Sequence, residues 1–544
     1  MGSIGDQPVL GLTALERIGP KGYLRYVFPF QLQDDYDLDE VAGALEAGYQ
    51  ALTQRIPVVA SEAVPDLETK QKGVMRFQPR DTRDATQILV KDLRDSYASD
   101  YAGLKHQHFP VAAFDADTFC RRSVWPSAGE RMPVSLVQAN FIRGGLVLTW
   151  CILHMAGDGN SFSTWTAIWA EECRRAQGLE IVAPIQLPDA VWKDREQVTK
   201  PSGRNAGELE NHPEYTLLPF TPPGAPPKMT SLNHRGQVFY FSPDSLAALK
   251  VEASPGKATE PSDQKWISTN DALSALLWRT VMAVQSPLDT LEGDPVSVFN
   301  LAIDGRQRTD PPIHPDTLGC FLEYVAVILP IRKMLSTLSL ADLAIQIRKA
   351  ILRADKQFTD DVVALVDRLE DVDRLVPTAF LDVPGYNCVQ TSWLNFKLYG
   401  LDWGSSLGHR IEAVRVPHIG CINGAQVVLP VLPDGGMEIL VGVEESCLDR
   451  LLTDPLFTKY GSPPYVESHH VHPTELIKPR DGPGGPAQHV RSQEPQAPRS
   501  CSQFSENEPS VLNSARHIAA AKPQDLSPAF DPPRTAISQR RPCA

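Results

Sequence analysis

The chain has 544 residues, of which 42% are hydrophobic and 22% are charged. This balance is typical of a globular protein, so wholesale disorder is excluded, and the length predicts two or three domains. The net charge is -14 and no run of lysine or arginine occurs, which argues against nucleic-acid binding but leaves room for a local basic pocket that takes a phosphorylated ligand.

The nine cysteines include no Cys-x-x-Cys spacing. An odd number in a chain of this length predicts neither a disulfide framework nor a zinc site, and we expect a reduced, cytoplasmic protein. No signal peptide and no membrane span are expected, because the apolar runs are too short. No metal site is expected either, since the His106–His108 and His469–His472 clusters lack further ligands at metal spacing.

Three stretches differ in composition from the rest of the chain, which has the composition of a globular protein. Residues 201–235 are rich in proline and predict a long extended connection, and residues 253–264 predict a surface loop. Residues 466–544 are poor in aromatic side chains, so we expect a disordered tail whose removal leaves activity intact. The remaining blocks, 1–200 and 236–465, both mix strand-like and helix-like segments, which predicts an α/β or α+β class with two domains of similar size.

The elements follow from hydrophobic periodicity. The apolar run at 146–153 predicts a buried strand, and residues 161–176 carry an apolar stripe at helical spacing. Ser268 and Asp271 have the pattern of a capping box, which predicts the start of another helix. The remaining predictions are helices at 339–356 and 362–369 and a hairpin with strands at 426–430 and 437–443.

His154 is the first candidate for chemistry, because it ends the predicted buried strand and is followed by Asp158 and Gly159. A histidine at a strand end can face a cleft, and a pKa of about 6.5 lets it accept a proton at neutral pH. Asp158 can orient the ring or fix the local backbone. The alternative is a buried histidine that only satisfies the end of the strand.

Two later segments hold further candidates. Asp402 and Gly404 lie in a glycine-rich stretch that serves either as a hinge or as a pocket wall. The same stretch matches the Gly-x-Ser-x-Gly elbow of hydrolases with Ser406 as nucleophile, although no clear strand precedes it. Arg306 and Arg308 can bind a carboxylate or phosphate, and the alternative for them is a surface ion pair.

Together these segments resemble the BAHD family of coenzyme A-dependent acyltransferases over about residues 10–460. Within the family, the sequence is most similar to the fungal, trichothecene 3-O-acetyltransferase-like enzymes of secondary metabolism. The segment 442–452 also resembles the last helix of the family. Four motifs arrive in the family's order: His154-x-x-x-Asp158-Gly159, Ser268–Arg279, Asp304-Gly-Arg306-Gln-Arg308, and Ser392-Trp393 followed by Asp402-Trp403-Gly404.

The resemblance implies two chloramphenicol acetyltransferase-like domains, a crossover loop that the 201–235 stretch fits, and a channel between the domains. It implies that His154 is the general base, which takes the proton of an acceptor hydroxyl or amine as that group attacks the thioester. Asp158 then orients His154 and pairs with Arg306, and Asp402 has a structural role. The positions assigned to the coenzyme A side or to the oxyanion are Lys265, Ser268, Arg306, Thr391 and Ser392.

The expected activity is acyl transfer from acyl-CoA, with acetyl-CoA as the donor, to a hydroxyl of a fungal secondary metabolite by a monomer without a bound cofactor. Transfer from the phosphopantetheine arm of a carrier protein stays open, although such domains usually double the histidine and residue 153 is Leu. Hydrolysis by Ser406 and a non-catalytic protein with this fold stay open too. The chain departs from the family's Asp-Phe-Gly-Trp-Gly signature at Trp403, Ser405 and Ser406, which leaves the oxyanion donor unassigned.

Overall fold

The computed structural model describes residues 11–463 apart from 82–84, 128, 190, 192–194, 196–199, 227, 229–232, 382–384 and 418–421. All described residues belong to one compact unit. The predicted tail at 466–544 and the His469–His472 cluster lie outside the described residues. The division into blocks 1–200 and 236–465 stays a prediction, although each block supplies its own main sheet.

The strands of the described residues are β1 Tyr23–Gln31, β2 Ser61–Pro65, β3 Met75–Pro79, β4 Leu89–Asp92, β5 Met132–Pro133, β6 Ser135–Ile142, β7 Gly145–Leu153, β8 Tyr215–Leu217, β9 His234–Phe241, β10 Val296–Asp304, β11 Leu322–Pro330, β12 Leu375–Pro377, β13 Cys388–Ser392, β14 Ala425–Val428 and β15 Met437–Glu444. The helices are α1 Ala14–Arg17, α2 Leu38–Arg55, α3 Tyr101–His106, α4 Ala116–Phe119, α5 Gly159–Ala176, α6 Pro243–Glu252, α7 Thr269–Gln285, α8 Ile331–Ser336, α9 Leu340–Arg353, α10 Lys356–Arg368 and α11 Leu448–Thr453.

The first main sheet has the strand order β1-β7-β6-β4. The pairs β1–β7 and β7–β6 are antiparallel, whereas β4 is parallel to β6. Every residue of β7 is buried, as the apolar run at 146–153 predicts for a strand that is covered on both faces. Helices α2 and α5 cover one face, where the ring of Trp150 on β7 meets that of Trp169 on α5 at 5.0 Å.

The second main sheet has the order β11-β10-β13-β14-β15-β9. Its central strands β10, β13 and β14 run parallel, and the flanking pairs are antiparallel. Helix α7 covers one face, where Trp278 stacks on Phe299 of β10 at 5.0 Å. Two smaller sheets, β3-β2-β5 and β12-β8, complete the described part.

A segment of the second block extends the first sheet at its β1 edge. Two residues of β1 form isolated antiparallel bridges with this segment: Val27 pairs with Arg415, and Phe30 pairs with Ile411. Arg415 is 2% exposed and makes a bidentate ion pair with Glu438 of β15 at 2.6 and 2.8 Å. This buried pair ties the bridging segment to the second sheet, so the two sheets are held in one framework.

The proline-rich connection is anchored rather than loose in its first half. The backbone N–H of Gly207 donates to Asp361 of α10 at 2.6 Å. The ring of His212 lies between two carboxylates, with Nδ1 2.9 Å from Glu214 and Nε2 3.0 Å from Asp361. Strand β8 then pairs with β12.

The predicted elements are confirmed with two exceptions. The strand at 146–153, the helix at 161–176, the capping box at Ser268 and the hairpin correspond to β7, α5, the start of α7 and β14–β15. Helix α10 begins six residues before the predicted 362–369 helix. The helix predicted at 442–452 is wrong over its first three residues, which belong to β15 and pair with β9; residues 445–447 form a 3₁₀ turn, and α11 begins at Leu448.

The mixed α/β class is confirmed. Six cysteines lie within the described residues, and all six are buried. Among the helices that the structure describes, none combines the length and the apolar character that crossing a bilayer requires.

Candidate active site

His154 lies at the junction of the fully buried strand β7 and helix α5. Strand β7 ends at Leu153, a 3₁₀ turn covers His154–Ala156, and α5 begins at Gly159. The backbone N–H of His154 donates to the carbonyl of Gly22 at 2.9 Å, and its ring meets the edge of Phe162 at 5.5 Å. The backbone and one ring face are therefore fixed before any ligand binds.

The imidazole of His154 is deep but accessible. Burial lowers its pKa below the usual 6.5, and the nearby backbone of His154 and Gly157 and the charge of Asp158 offset this only in part. Part of its surface is nevertheless accessible, and its Nδ1 has no hydrogen-bond partner among the described residues. A ring that is neutral at pH 7, deep and accessible has the properties of a general base at the bottom of a cleft.

Asp158 forms the expected pair with Arg306, 148 positions away. Nη1 of Arg306 donates to one carboxylate oxygen at 2.6 Å, and Nη2 donates to the other at 3.0 Å. The side chain of Arg306 is fully buried and also lies over the ring of Phe321 at 4.5 Å. This bidentate geometry joins the start of α5 to the segment that follows β10.

Asp158 also caps α5. Its carboxylate accepts the N–H of Ser161 at 3.1 Å and the N–H of Phe321 at 2.9 Å. Although burial alone raises the pKa of Asp158, the charge and hydrogen bonds of Arg306 and these backbone N–H groups hold it below its usual range. These contacts join the turn that follows His154 to the start of α5 and to the segment around Phe321.

Arg306 was also assigned to the coenzyme A side, and the structure contradicts this. Its Nε donates to the carbonyl of Thr317 at 2.8 Å, and its Nη groups reach Asp158, Asp304, Ser161 and Gly319 at 2.6–3.2 Å. All five N–H groups are used inside the protein and the side chain is fully buried. No donor of Arg306 is left for a ligand.

The end of β13 reaches the start of α5. A Cβ at Gly159 would lie 2.7 Å from the ring of Phe396 and 3.7 Å from that of Trp393. Thr391 and Ser392 directly precede these rings; Thr391 is partly exposed, and the buried hydroxyl of Ser392 has no partner among the described residues. The structure thus brings Thr391 and Ser392 to the end of α5 at which His154 lies.

Ser268 and Lys265 flank the first turn of α7. The hydroxyl of Ser268 accepts the N–H of Asp271 at 3.1 Å and so serves the capping box, whereas Lys265 is exposed. Ser274, one turn further on, hydrogen-bonds to Gln390 two residues before Ser392. This contact places the start of α7 at the end of β13 that leads to Trp393, but no contact joins Ser268 or Lys265 to His154.

Two glutamines at this place were missed from the sequence. Gln390 on β13 and Gln426 on β14 are opposite each other in the parallel ladder and are 2% and 1% exposed. The Nε2 of Gln390 and both amide atoms of Gln426 lack partners among the described residues. The pair could not be found from the sequence, because only the register of the two strands brings the glutamines together. A buried amide without a hydrogen-bond partner costs free energy, so both glutamines are candidates for contact with a polar ligand.

Asp402 lies at the far end of α5 from His154. The carboxylate accepts the N–H of Gly404 at 3.0 Å and lies 3.1 Å from Nδ1 of His409. Gln177, which ends α5, donates to the carbonyl of Trp403 at 2.7 Å. Because α5 has 18 residues, about 27 Å separates this motif from Asp158. Its geometry is that of a structural clamp on α5.

The hydrolase elbow at Ser406 is wrong. Residues Ser405–Leu407 form a 3₁₀ turn, with neither a strand before it nor an α-helix after it. The hydroxyl of Ser406 donates to Glu40 at 2.7 Å, and its N–H donates to Gln177 at 3.0 Å. The nucleophile elbow requires a sharp turn between a strand and a helix, which this segment does not form, and the partner of the Ser406 hydroxyl is a surface glutamate rather than a histidine.

Within the ranges that the structure describes, no group of three or more His, Cys, Asp and Glu side chains is placed to bind a metal ion. The groups that the structure places around His154 are a fixed ion pair and hydroxyl and amide side chains. These are the parts that proton transfer and oxyanion stabilisation require.

Two family models match the chain. The Transferase family matches residues 115–451, and the trichothecene 3-O-acetyltransferase-like N-terminal domain matches residues 23–173. The first match covers more than half of the chain and contains all four motifs. The chain therefore belongs to this family of acyltransferases, the BAHD enzymes, in their trichothecene 3-O-acetyltransferase-like branch.

Among curated proteins, the chain is similar to the enoyl-CoA isomerase/hydratase claC of Penicillium crustosum, with 29% identity over 86% of this chain and 52% of claC. It is 26% identical to the eremophilane O-acetyltransferase prx11 of Penicillium rubens over 83% of this chain and 98% of that protein. The chain thus spans about half the length of the first relative and nearly all of the second.

Among solved structures, the TRI101 enzyme of Fusarium graminearum in complex with coenzyme A and T-2 mycotoxin is 23% identical to this chain. Its TM-score is 0.71, and the match covers 83% of this chain and 99% of that one. Vinorine synthase matches with a TM-score of 0.57 and 14% identity, over 85% and 96% of the two chains. These likenesses concern the fold.

Proposed function

We propose that this protein is an O-acyltransferase that moves the acyl group of acyl-CoA, with acetyl-CoA as the expected donor, onto a hydroxyl of a fungal secondary metabolite. The observation that carries the proposal is the deep, accessible and neutral ring of His154 beside the fixed Asp158–Arg306 pair. The O-acetyltransferase relative and the coenzyme A and T-2 mycotoxin of the TRI101 structure support the choice of substrates.

In the proposed reaction a ring nitrogen of His154 takes the proton of the acceptor hydroxyl as its oxygen attacks the thioester carbonyl carbon. The tetrahedral oxyanion that forms is stabilised by hydrogen-bond donors at the end of β13, where Thr391 and Ser392 lie. The carbon–sulfur bond then breaks, and the imidazolium returns its proton to the leaving thiolate. The products are the ester and free coenzyme A, and His154 is neutral again.

Asp158 contributes by position. Its contacts with Arg306, Ser161 and Phe321 fix the turn between β7 and α5, so His154 is presented in one orientation. Orientation of the acceptor and the thioester supplies a further part of the rate enhancement, because both must be placed against an imidazole ring of fixed orientation.

The direct test is thiol release from acetyl-CoA by the purified protein with a panel of hydroxylated terpenoids and polyketides. We expect release that depends on an alcohol and falls about 10²–10⁴-fold in His154→Ala. Ser406→Ala is the matched control and keeps its rate. Alcohol-dependent release that is unchanged in His154→Ala contradicts the mechanism.

The same assay separates the carrier-protein alternative. If no alcohol elicits release from acetyl-CoA or longer acyl-CoA, the protein is supplied with an acyl-loaded carrier protein. Transfer from the carrier alone contradicts the proposed use of free acyl-CoA, whereas transfer from acyl-CoA alone supports it.

A further inference from the structure

Two of the buried cysteines lie beside each other, close to the turn that carries His154. Cys151 is on β7, three residues before His154, and Cys120 directly follows α4. Cys151 is 1% exposed and Cys120 is 8% exposed, and the thiol of Cys120 hydrogen-bonds to the sulfur of Cys151. The acyl transfer proposed above uses neither of them.

The backbone on both sides of Cys120 is bound to β7 and to its neighbour β1. The carbonyl of the residue before Cys120 accepts the hydroxyl of Thr149, which shares a face of β7 with Cys151 because the two are two residues apart. Arg25 of β1 is paired with Cys151, and its Nη1 donates to the carbonyl of Arg122 at 3.4 Å. These two hydrogen bonds hold the segment along the strand, with Cys120 beside Cys151.

Cys151 is the thiol of the pair that loses its proton first. The hydrogen bond from Cys120 lowers the pKa of the Cys151 thiol below its usual range, although burial opposes this effect. The charge of Arg25 and the backbone N–H groups of Arg121 and Arg122 lower this pKa further. The same hydrogen bond and burial raise the pKa of Cys120, which keeps the proton that it donates. A stabilised thiolate with a thiol against it is the arrangement of an attacking cysteine and its resolving partner.

We infer that Cys120 and Cys151 form a disulfide bond when a peroxide reaches them, and that this bond slows the acyl transfer at His154. The effect on acyl transfer rests on the proposed function, whereas the disulfide does not.

The oxidation has two steps. The thiolate of Cys151 attacks one oxygen of hydrogen peroxide, the O–O bond breaks, and hydroxide leaves, so Cys151 becomes a sulfenic acid. The sulfur of Cys120 then attacks the sulfur of Cys151, which forms the S–S bond and releases water. The proton that Cys151 lost on ionisation joins the hydroxide. In sum, the two thiols lose two protons and two electrons, and the peroxide is reduced to two molecules of water.

The segment that carries Cys120 also reaches the backbone of His154. The carbonyl of Val124 accepts the N–H of the residue after Gly22 at 2.6 Å, and the ring of Trp125 would lie 2.8 Å from a Cβ at Gly22. The carbonyl of Gly22 in turn accepts the N–H of His154 at 2.9 Å. A disulfide brings its sulfur atoms from hydrogen-bond distance to about 2 Å. The bond therefore pulls the segment of Cys120 toward β7 and shifts the support of His154.

The test oxidises the full-length protein with hydrogen peroxide, blocks the remaining thiols with N-ethylmaleimide and maps linked peptides by mass spectrometry. We expect a peptide pair joined through Cys120 and Cys151 in the wild type. After removal of the peroxide, the alcohol-dependent formation of ester from acetyl-CoA falls by up to about 10²-fold, because a small displacement of the base is enough for such a loss. Dithiothreitol restores the rate.

Cys120→Ser removes the resolving thiol and leaves every group assigned to the reaction in place. We expect this variant to keep the rate of the reduced wild type and to form no linked peptide, while peroxide produces a sulfenic acid at Cys151 that dimedone traps. Cys173→Ser is the matched control, since Cys173 is also buried but lies near the far end of α5 from His154. This control forms the linked peptide as the wild type does.

A wild type that shows no link between Cys120 and Cys151 after oxidation overturns the inference. A linked wild type that still forms ester at the rate of the reduced protein overturns the coupling to His154. A protein that forms the linked peptide but transfers no acyl group even when reduced supports the disulfide and contradicts the proposed function, so the two fail separately.

Discussion

The protonation of His154 decides the pH range in which the proposed chemistry works. Burial lowers the pKa of the ring from 6.5, so the neutral base persists below the pH at which a solvent-exposed histidine is half protonated. As the pH falls through this lowered pKa, the ring gains a proton and can no longer act as a base. We expect the acid limb of log(kcat/KM) against pH to have its midpoint below 6.5.

The profile of kcat/KM with acetyl-CoA and a neutral alcohol measures this midpoint directly. Asp158→Asn tests the opposing effect of the carboxylate charge, because the charge of Asp158 raises the pKa of His154. The acid limb of this variant moves to lower pH. An acid limb centred above 6.5 in the wild type would show that burial does not set the pKa.

The Asp158–Arg306 pair also belongs to the residue scale. Arg306 is fully buried, so Asp158→Ala leaves a buried cation without its main partner. We expect a loss of about 3–5 kcal/mol in the free energy of unfolding. The double variant Asp158→Leu with Arg306→Met removes both charges and loses less than Asp158→Ala alone. Urea unfolding measures each loss.

The exposed pair Arg94–Asp92 provides the comparison, since both side chains are at least 40% exposed. Asp92→Ala changes the free energy of unfolding by less than about 1 kcal/mol. A loss in Asp158→Ala as small as the loss in Asp92→Ala would contradict the view that this buried pair holds the turn before α5.

At the scale of elements, the clamp at the end of α5 depends on one glycine. Gly404 has φ +91°, and a Cβ there would lie 2.3 Å from Oε1 of Gln177. Gln177 cannot swing away freely, because it bonds to both Trp403 and Ser406. We expect Gly404→Ala to lower the free energy of unfolding by about 1–3 kcal/mol.

The matched control for this clamp is Gly400→Ala. Nothing lies within 4 Å of a Cβ at Gly400, and the φ of Gly400 is not positive. We therefore expect Gly400→Ala to change the free energy of unfolding by less than about 1 kcal/mol. Both variants keep kcat, because the clamp lies a helix length from His154. Chemical unfolding and the thiol-release assay give the two readouts, and a fall in kcat for folded Gly404→Ala would place the motif in catalysis.

Local patterns predicted the elements around His154 well. The uninterrupted apolar run fixes β7, and the Asp158-Gly159 pair marks the start of α5, since both signals are contained in one short window. Helix α10 was predicted too late because its first turn, from Lys356, has Phe358 as its single apolar residue and is started by the Asp355 cap rather than by an apolar stripe. The last helix begins later than predicted because ladder pairing with β9 holds residues 442–444 in a strand.

Contacts between distant positions were beyond local patterns. The Asp158–Arg306 pair was expected only from the family resemblance, because 148 residues separate the two. The glutamine pair depends on the register of β13 with β14. Neither pair leaves a periodic signal in the sequence.

At the scale of the whole molecule, the proline-rich connection meets the second sheet around one buried acid. Glu323 of β11 is fully buried, and its Oε2 accepts the hydroxyl of Thr359 on α10 at 2.8 Å. His212 and Glu214 of the connection and Arg308 are the charged groups that act on it. Burial raises the pKa of Glu323 to about 7; Thr359, Arg308 and His212 only partly counteract this rise, and Glu214 adds to it.

The raised pKa links stability to pH. The unfolded chain releases the proton of Glu323 near pH 4.5, whereas the folded protein keeps it up to about pH 7. Between these values the folded state binds more protons, so the stabilising contribution is complete below pH 4.5 and is lost as the pH rises through 7. The difference corresponds to about 3 kcal/mol.

Glu323→Gln imitates the protonated acid at every pH. We expect it to match the wild type below pH 5 and to be more stable by up to about 3 kcal/mol at pH 8. Urea unfolding of both proteins across this range measures the difference, in which the other titrating groups cancel. Glu370→Gln is the control, because Glu370 is 75% exposed at its side chain and gives a curve parallel to the wild type. Parallel curves for Glu323→Gln as well would mean that Glu323 stays ionised in the folded protein, and that the junction of connection and sheet tolerates a buried charge.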